Sequence, residues 1–145
     1  MKSIEITNPP TVDALIEAFG GRRLPFVLDS AQSNDGLGQW SFFGADPFHV
    51  VSNPEGDGLA HLREVMAPYT RAAELTSIPF VGGAVGFISY DYGRRIEDLP
   101  SIAADDRSVP DLHFGLYDGI AALHHDTGVL HLIALGIRSE VDVVL

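Results

Sequence analysis

The chain has 145 residues, of which 46% are hydrophobic, so it is long and apolar enough to form one domain with a core and is not a disordered segment. Its formal net charge of -11 gives a surface that repels phosphate backbones, so nucleic acid is not expected as a partner. The absence of cysteine excludes disulfides and thiolate metal sites, and no apolar run approaches the roughly 20 residues that span a bilayer, so we expect a cytoplasmic protein.

The first half of the sequence predicts one helix followed by three short strands. Thr11 is a suitable N-cap, and Gly20-Gly21 ends the helix because glycine tolerates the left-handed conformation at a C-terminus. Between these points Val12, Leu15, Ile16 and Phe19 share one face. The predicted strands are 26–28, 39–44 and 48–52, with a polar loop at 32–38 and a break at Asp46-Pro47.

The second half predicts another helix and more extended chain. The helix opens at Asp57 or Gly58, and Pro68 kinks or ends it because proline has no N–H to donate. A long extended segment at 78–90 contains glycines, residues 97–109 form a surface excursion, strands 116–123 and 129–135 form a hairpin, and 137–145 is apolar. Two or three helices and about six strands without βαβ alternation predict an α+β fold with a mostly antiparallel sheet.

Glycine-rich segments do not form a nucleotide-binding motif. No Gly-Lys-Ser/Thr follows the run Gly82 to Gly86, and Ser41 stands where a dinucleotide fingerprint beginning at Gly36 requires its third glycine. These glycines are better explained as places where strands bend or pass closely.

Histidines and aspartates are the next candidates for chemistry. His124, His125 and His131 lie close in sequence, but adjacent strand residues point to opposite faces, so a hairpin turn with solvated histidines is favoured over a zinc site. Asp29, Asp91 and Asp118 each end or interrupt an apolar strand. For these acids a structural role, as turn caps or partners of Arg94 and Arg95, is favoured over catalysis.

Two tripeptides have the character of a small ligand site. Leu28-Asp29-Ser30 and Gln39-Trp40-Ser41 each place a hydroxyl beside a large side chain in an apolar strand. An apolar slot with a few convergent polar groups can hold a small amphipathic ligand, but from the spacing alone an ordinary sheet with Trp40 and Phe42 in its core is favoured.

Ordered sequence blocks between about Pro25 and Leu135 carry a resemblance to a known family. The blocks are LDSA (28–31), LGQWSFFGADPF (37–48), FVGGAVGFISYD (80–91), YGRR (92–95) with Glu97 and Leu99-Pro100, and DL with GLYD (111–112 and 115–118). They resemble the N-terminal region of component I of the chorismate-utilising synthases, and the 92–100 block is closer to the aminodeoxychorismate (para-aminobenzoate) branch than to anthranilate synthase. Gln39 and Trp40 replace a basic residue and a tyrosine of the family pattern.

The resemblance implies a fold and a reaction. The fold would be part of an α/β/β/α sandwich, and the reaction would be addition of ammonia to chorismate with Mg²⁺, using nitrogen from a glutamine amidotransferase subunit. The family's chorismate and magnesium residues lie in a C-terminal region. We therefore expect residues 1–145 to be a single N-terminal domain or fragment that has no catalytic residues or bound cofactor and is inactive alone. Its uncovered apolar sheet surface predicts a homodimer or poor solubility.

One family site maps onto this region. It is a tryptophan-type ligand site, and its matching positions are Leu28, Asp29, Ser30, Trp40 and Ser41. An aspartate there would pair with the ligand's ammonium group, and a serine would hydrogen-bond its polar end. Two alternatives stay open, namely the same region of anthranilate synthase component I and a stand-alone module that binds an amino acid or a partner protein.

Overall fold

A computed structural model describes residues 1–30, 37–69, 77–98, 100 and 107–137. In these ranges the elements are, in chain order, β1 (Lys2–Ile6), α1 (Val12–Gly20), β2 (Phe26–Leu28), β3 (Trp40–Gly44), β4 (His49–Ser52), α2 (Gly58–Met66), a 3₁₀ helix (Ala67–Tyr69), β5 (Gly83–Ile88), a second 3₁₀ helix (Tyr90–Arg95), β6 (Leu112–Tyr117), β7 (Gly119–His124) and β8 (Val129–Ala134). All strand pairs among them are antiparallel, which confirms the predicted α+β class.

The strands form two sheets that lie between helices. The large sheet has the order β1-β8-β7-β3-β2, and the small sheet has the order β4-β6-β5. Leu15 of α1 packs with Phe43 on one face of the large sheet, and Leu62 of α2 packs with Leu112 of the small sheet. A third apolar cluster joins the other face of the large sheet to Val85 of the small sheet. The layers are therefore helix, sheet, sheet and helix, as the α/β/β/α arrangement predicts.

Both α-helices begin at the predicted caps. The Thr11 hydroxyl accepts the Ala14 N–H at 3.3 Å, and the Asp57 carboxylate accepts two N–H groups of the first turn of α2 at 3.0 and 3.1 Å. At its other end α2 gives way to the 3₁₀ helix Ala67–Tyr69, which contains Pro68. The sequence thus placed the start and the end of this helix by local chemistry alone.

The structure corrects the predicted strands in three places. β1 is an additional strand, mostly exposed, which is held at the edge of the large sheet by pairing with β8. The predicted strand 116–123 is divided at the buried Asp118 between β6 of the small sheet and β7 of the large one. The extended segment 78–90 contains a strand only at Gly83–Ile88, and Tyr90 already opens the second 3₁₀ helix.

Positive backbone angles explain where β5 begins. Gly82 and Gly83 have φ angles of +135° and +132°, a region that residues other than glycine rarely adopt. Regular strand pairing of β5 therefore begins only at Gly83. Parts of the predicted loop (32–36) and of the excursion (99 and 101–106), and the segment 138–145, lie outside the described residues.

Candidate functional site around Ser41

Within β3, and likewise at the C-terminal end of β7, adjacent residues point to opposite faces of the large sheet. Trp40 pairs with His124, and Ser41 pairs with Leu123. Because successive strand side chains alternate, Ser41 lies on the face that α1 covers, which we call the helix face, and Trp40 lies on the other, which we call the aromatic face. The same alternation places His125 on the helix face.

A buried hydroxyl joins three polar groups at one end of the helix face. Ser41 has no exposed surface, and its Oγ lies 2.6 Å from Asp29 Oδ1, 2.7 Å from His125 Nε2 and 3.1 Å from the Ser30 nitrogen. Asp29 follows β2, Ser41 lies in β3 and His125 follows β7, and these three strands are neighbours in the sheet. Residues up to 96 positions apart, counted from 29 to 125, therefore meet at one point. We call this group the Ser41 cluster.

The geometry of the Ser41 cluster is not that of a nucleophilic triad. The 2.6 Å separation between Ser41 Oγ and Asp29 Oδ1 is in the range of a hydroxyl that donates to an ionised carboxylate. In a hydrolase triad the imidazole stands between the serine and the carboxylate, whereas here Asp29 contacts the serine directly. Ser41 is also fully buried, so its hydroxyl orients the other groups and does not reach a substrate.

On the aromatic face, the Trp40 ring packs against three other rings. The Trp40 ring lies 6.2 Å from Phe42, nearly parallel to it, with the rings of His124 at 4.5 Å and His131 at 5.7 Å, measured between centroids. These contacts place the only tryptophan of the chain within an aromatic cluster on the side of the sheet opposite the Ser41 hydroxyl.

Three of the five predicted site residues come together. Asp29, Ser30 and Ser41 form the cluster, whereas Trp40 lies on the aromatic face. Leu28 pairs with Phe42, shares that face and is 48% exposed. A ligand that contacts all five residues would have to reach both sides of the sheet edge, and binding of tryptophan by this group stays a prediction.

His125 is the member of the cluster that sequence reasoning missed. The sequence placed it in a solvated hairpin turn, and the structure gives its ring a buried partner in Ser41. Its backbone N–H also donates to the Gln39 carbonyl at 2.8 Å, which extends the pairing between β7 and β3 beyond His124. The signal was the hairpin register, because His125 lies two residues beyond Leu123, the partner of Ser41.

Asp91, another candidate residue, and the two arginines near it form ion pairs. Asp91 pairs with Arg94 at 2.8 Å, as the favoured interpretation predicts, and Arg95 pairs with Asp111 at 2.9 Å. Tyr117, on the aromatic side, donates its hydroxyl to a backbone carbonyl at 2.8 Å. Burial raises the pKa of this tyrosine above its ordinary value, and the positive charge of Arg23 partly opposes that rise.

The described residues do not fit the magnesium ion that the resemblance implies. Within the described ranges, no group of three or more His, Asp or Glu side chains is placed to hold a metal ion. The sheet also separates His125, on the helix face, from His124 and His131, whose rings contact Trp40.

No described helix has the length and apolar character needed to cross a bilayer.

Comparison with solved structures defines the fold. The crystal structure of anthranilate synthase component I from Streptococcus pneumoniae matches 79% of this chain and 28% of its own length, with a TM-score of 0.61 and 23% sequence identity. This likeness shows that the described strands and helices adopt part of the component I fold.

Sequence comparison then identifies the relatives. Anthranilate synthase component 1 of Mycobacterium tuberculosis is 34% identical over 128 residues, covering 75% of this chain, and aminodeoxychorismate synthase component 1 of Bacillus subtilis is 31% identical over 127 residues, covering 77%. The chain spans about a quarter of the length of these curated relatives, 25% and 26% respectively. No protein-family model matches it. The chain is homologous to part of component I of these synthases, and the resemblance predicted from its sequence blocks is confirmed.

Proposed function

We propose that this chain is the N-terminal, non-catalytic part of an aminodeoxychorismate synthase component I. Such a protein aminates chorismate to 4-amino-4-deoxychorismate, which leads to para-aminobenzoate and folate. The observation that supports this branch is the similarity to two proteins of that name, 31% identity over 127 residues in Bacillus subtilis and 47% over 57 residues in Salmonella typhimurium. The Tyr92-Gly93-Arg94-Arg95 block, which resembles the same branch, agrees with it.

The Ser41 cluster is the proposed ligand site of this part. Asp29 and Ser30 supply the acidic and hydroxyl groups that the resemblance assigns to a tryptophan-type site, and the buried Ser41 fixes their positions. A carboxylate held in this way is suited to the ammonium group of an amino acid, because a charge-assisted hydrogen bond is stronger than a neutral one.

Partners belong to the proposal as well. Relatives are named component 1, so a second component completes them, and for the whole protein we propose a glutamine amidotransferase subunit with Mg²⁺ as cofactor.

For the chain alone we propose a homodimer, because Phe87 and Ile88 of the edge strand β5 are 44% and 47% exposed. A monomeric mass in light scattering at 100 µM protein, on the order of the highest concentration that is practical, would contradict the dimer.

A second candidate is the corresponding part of anthranilate synthase component I. The 34% identity to the Mycobacterium tuberculosis protein over 75% of the chain favours it. The two candidates differ in the expected effect of tryptophan, which acts as feedback inhibitor in the anthranilate branch and as a structural ligand in some para-aminobenzoate synthases. A stand-alone amino-acid-binding module is the alternative without chorismate chemistry.

A chimera tests the proposal. This chain replaces the matching residues of Bacillus subtilis aminodeoxychorismate synthase component 1, and turnover of chorismate with ammonia and Mg²⁺ is measured with and without tryptophan. We expect turnover that tryptophan does not inhibit, and inhibition would favour the anthranilate branch. The same chimera carrying Phe43→Ala, which removes a fully buried ring, is the control for loss of folding. A soluble, folded chimera without activity would contradict both candidates, and product formed by the isolated 145-residue chain would contradict its non-catalytic role.

A further inference from the structure

We infer that the free edge of β5 is a self-pairing surface, to which a second copy of this chain adds its own β5 as an antiparallel strand, with Gly86 of both copies on the two-fold axis. The inference rests on the homodimer proposed above and adds the surface and the strand register of that dimer. In the small sheet the order β4-β6-β5 leaves one side of β5 without a neighbour among the described strands.

Hydrogen bonds of β6 show which backbone groups of β5 face that open side. The Leu112 carbonyl accepts the Asn53 N–H and therefore points to the β4 side of β6. The Leu116 carbonyl accepts the Phe48 N–H on the same side. Because backbone groups alternate along a strand, the odd-numbered residues of β6 point to β5, where their partners are odd-numbered as well. The even-numbered residues of β5 consequently turn their N–H and C=O groups to the open side, and these residues are Ala84, Gly86 and Ile88.

The strand β5 lacks the features that protect sheet edges from further pairing. Such features are charged side chains, proline and short length. The edge strand β1 carries Lys2 and Glu5, while the edge strands β2 and β4 have three and four residues. In contrast, β5 has six residues, and its sequence GAVGFI contains neither a charge nor a proline. Among the edges of the two described sheets, β5 is therefore the one best suited to accept another strand.

The distribution of charge favours a second copy of the chain as that strand. The formal net charge of -11 makes two copies repel each other over most of their surface. The segment from Ser77 to Tyr90 contains no charged residue, so two β5 edges complement each other without like-charge contact. Gly86, Phe87 and Ile88 are exposed, and pairing of the edges removes apolar surface of the last two from water.

The positions of the outward groups determine the register of the two copies. Antiparallel strands exchange a pair of hydrogen bonds at every second position. With Gly86 opposite Gly86 of the second copy, Ala84 lies opposite Ile88, so all the outward residues find partners. A shift of the register to the next matching position leaves one outward residue of each copy unpaired. Between these positions Val85 lies opposite Phe87 of the second copy, and a β-branched side chain beside an aromatic one stabilises a sheet.

Hydrogen exchange of backbone amides, read by NMR, tests this surface in the unmodified 145-residue chain. Exchange rates and the mass from light scattering are measured at about 10 µM and about 100 µM protein. We expect the amides of Ala84, Gly86 and Ile88 to exchange at least about twofold more slowly as the mass rises towards that of a dimer. The amides of Val85 and Phe87, which face β6, should not change, and those of the edge strand β1 serve as the internal reference.

Introduced cysteines test the register, since the chain contains no cysteine of its own. Val85→Cys is mixed with Phe87→Cys and oxidised. The proposed register places these two positions directly opposite each other, whereas either variant alone has its two cysteines on a diagonal of about 7–8 Å, beyond the reach of a disulfide. We expect at least about tenfold more disulfide-linked dimer from the mixture than from either variant alone. Ile96→Cys, at an exposed position outside β5, is the control for random collision.

Each result separates the inference from the dimer on which it rests. A monomeric mass with unchanged exchange at Ala84, Gly86 and Ile88 would overturn the dimer and its register together. A dimer in which these amides exchange as fast as in the monomer would overturn the β5 surface and leave the dimer standing. Slow exchange already at monomeric mass would mean that the same chain covers β5, which also contradicts the inference. Equal disulfide yields from the mixture and the single variants would overturn the register, and if a cysteine variant does not fold, exchange in the unmodified chain decides.

Discussion

The helix face and the aromatic face of the large sheet are built from the same strands but are held together differently. On the helix face, Phe43 is completely buried beneath α1, and the polar Ser41 cluster closes one end. On the aromatic face, Trp40 and Phe42 stack on each other and are only partly buried. In the adjacent pairs Trp40-Ser41 and His124-His125, the first residue lies on the aromatic face and the second lies on the helix face. The difference shows that alternate residues of one strand meet different surroundings, a buried polar cluster on one face and stacked rings on the other.

The largest expected effect comes from removing one ring on each face. Phe43→Ala should lower the free energy of unfolding by about 3–5 kcal/mol, because the side chain is fully buried and contacts Phe19 of α1. Phe42→Ala, the matched control on the next residue of the strand, should cost clearly less, since its ring is partly exposed. Urea denaturation measures both. Equal losses would mean that the two faces are buried alike and would break the comparison.

A smaller effect is expected from the hydroxyl that organises the Ser41 cluster. Ser41→Ala should cost about 1–3 kcal/mol, because the partners of a fully buried hydroxyl lose their hydrogen bonds. The control is Ser52→Ala, whose exposed hydroxyl lies 3.0 Å from His113 Nδ1 and should change stability by less than about 0.5 kcal/mol. Thermal unfolding of both variants provides the measurement. A loss at position 41 no greater than that at position 52 would show that the cluster does not stabilise the sheet.

The smallest expected effect is the pH dependence of stability that comes from Tyr117 on the aromatic side. Burial raises the pKa of Tyr117 in the folded chain above the ordinary value of 10.0. Below pH 10.0 the Tyr117 hydroxyl is protonated in both the folded and the unfolded chain. Above it the unfolded chain loses the proton first, so the contribution of Tyr117 to the free energy of unfolding is lost as the pH rises through the pKa of the folded chain. The stability difference between wild type and Tyr117→Phe should therefore shrink from pH 8 towards pH 11. A difference that stays constant over this range would contradict the raised pKa.

Local sequence signals predicted much of the secondary structure. The Thr11 and Asp57 caps, the three-residue strand Phe26–Leu28 and the turn before Val129 follow from capping, alternation and turn chemistry, which act over a few residues. β1 and the division at Asp118 were not predictable in this way, because an exposed edge strand and a change of sheet depend on the neighbours that pairing brings.

The sequence by itself determined the family resemblance and named five candidate site residues, of which three meet in space. It did so because Asp29 and Ser30 are adjacent in the chain and belong, with Ser41, to the ordered blocks that carry the resemblance. Only the tertiary structure decided that His125 joins them and that Leu28 and Trp40 face the other side. The physical reason is that strand register across β2, β3 and β7 fixes which side chains share a face, and the pairing of β3 with β7 joins segments that are far apart in the chain.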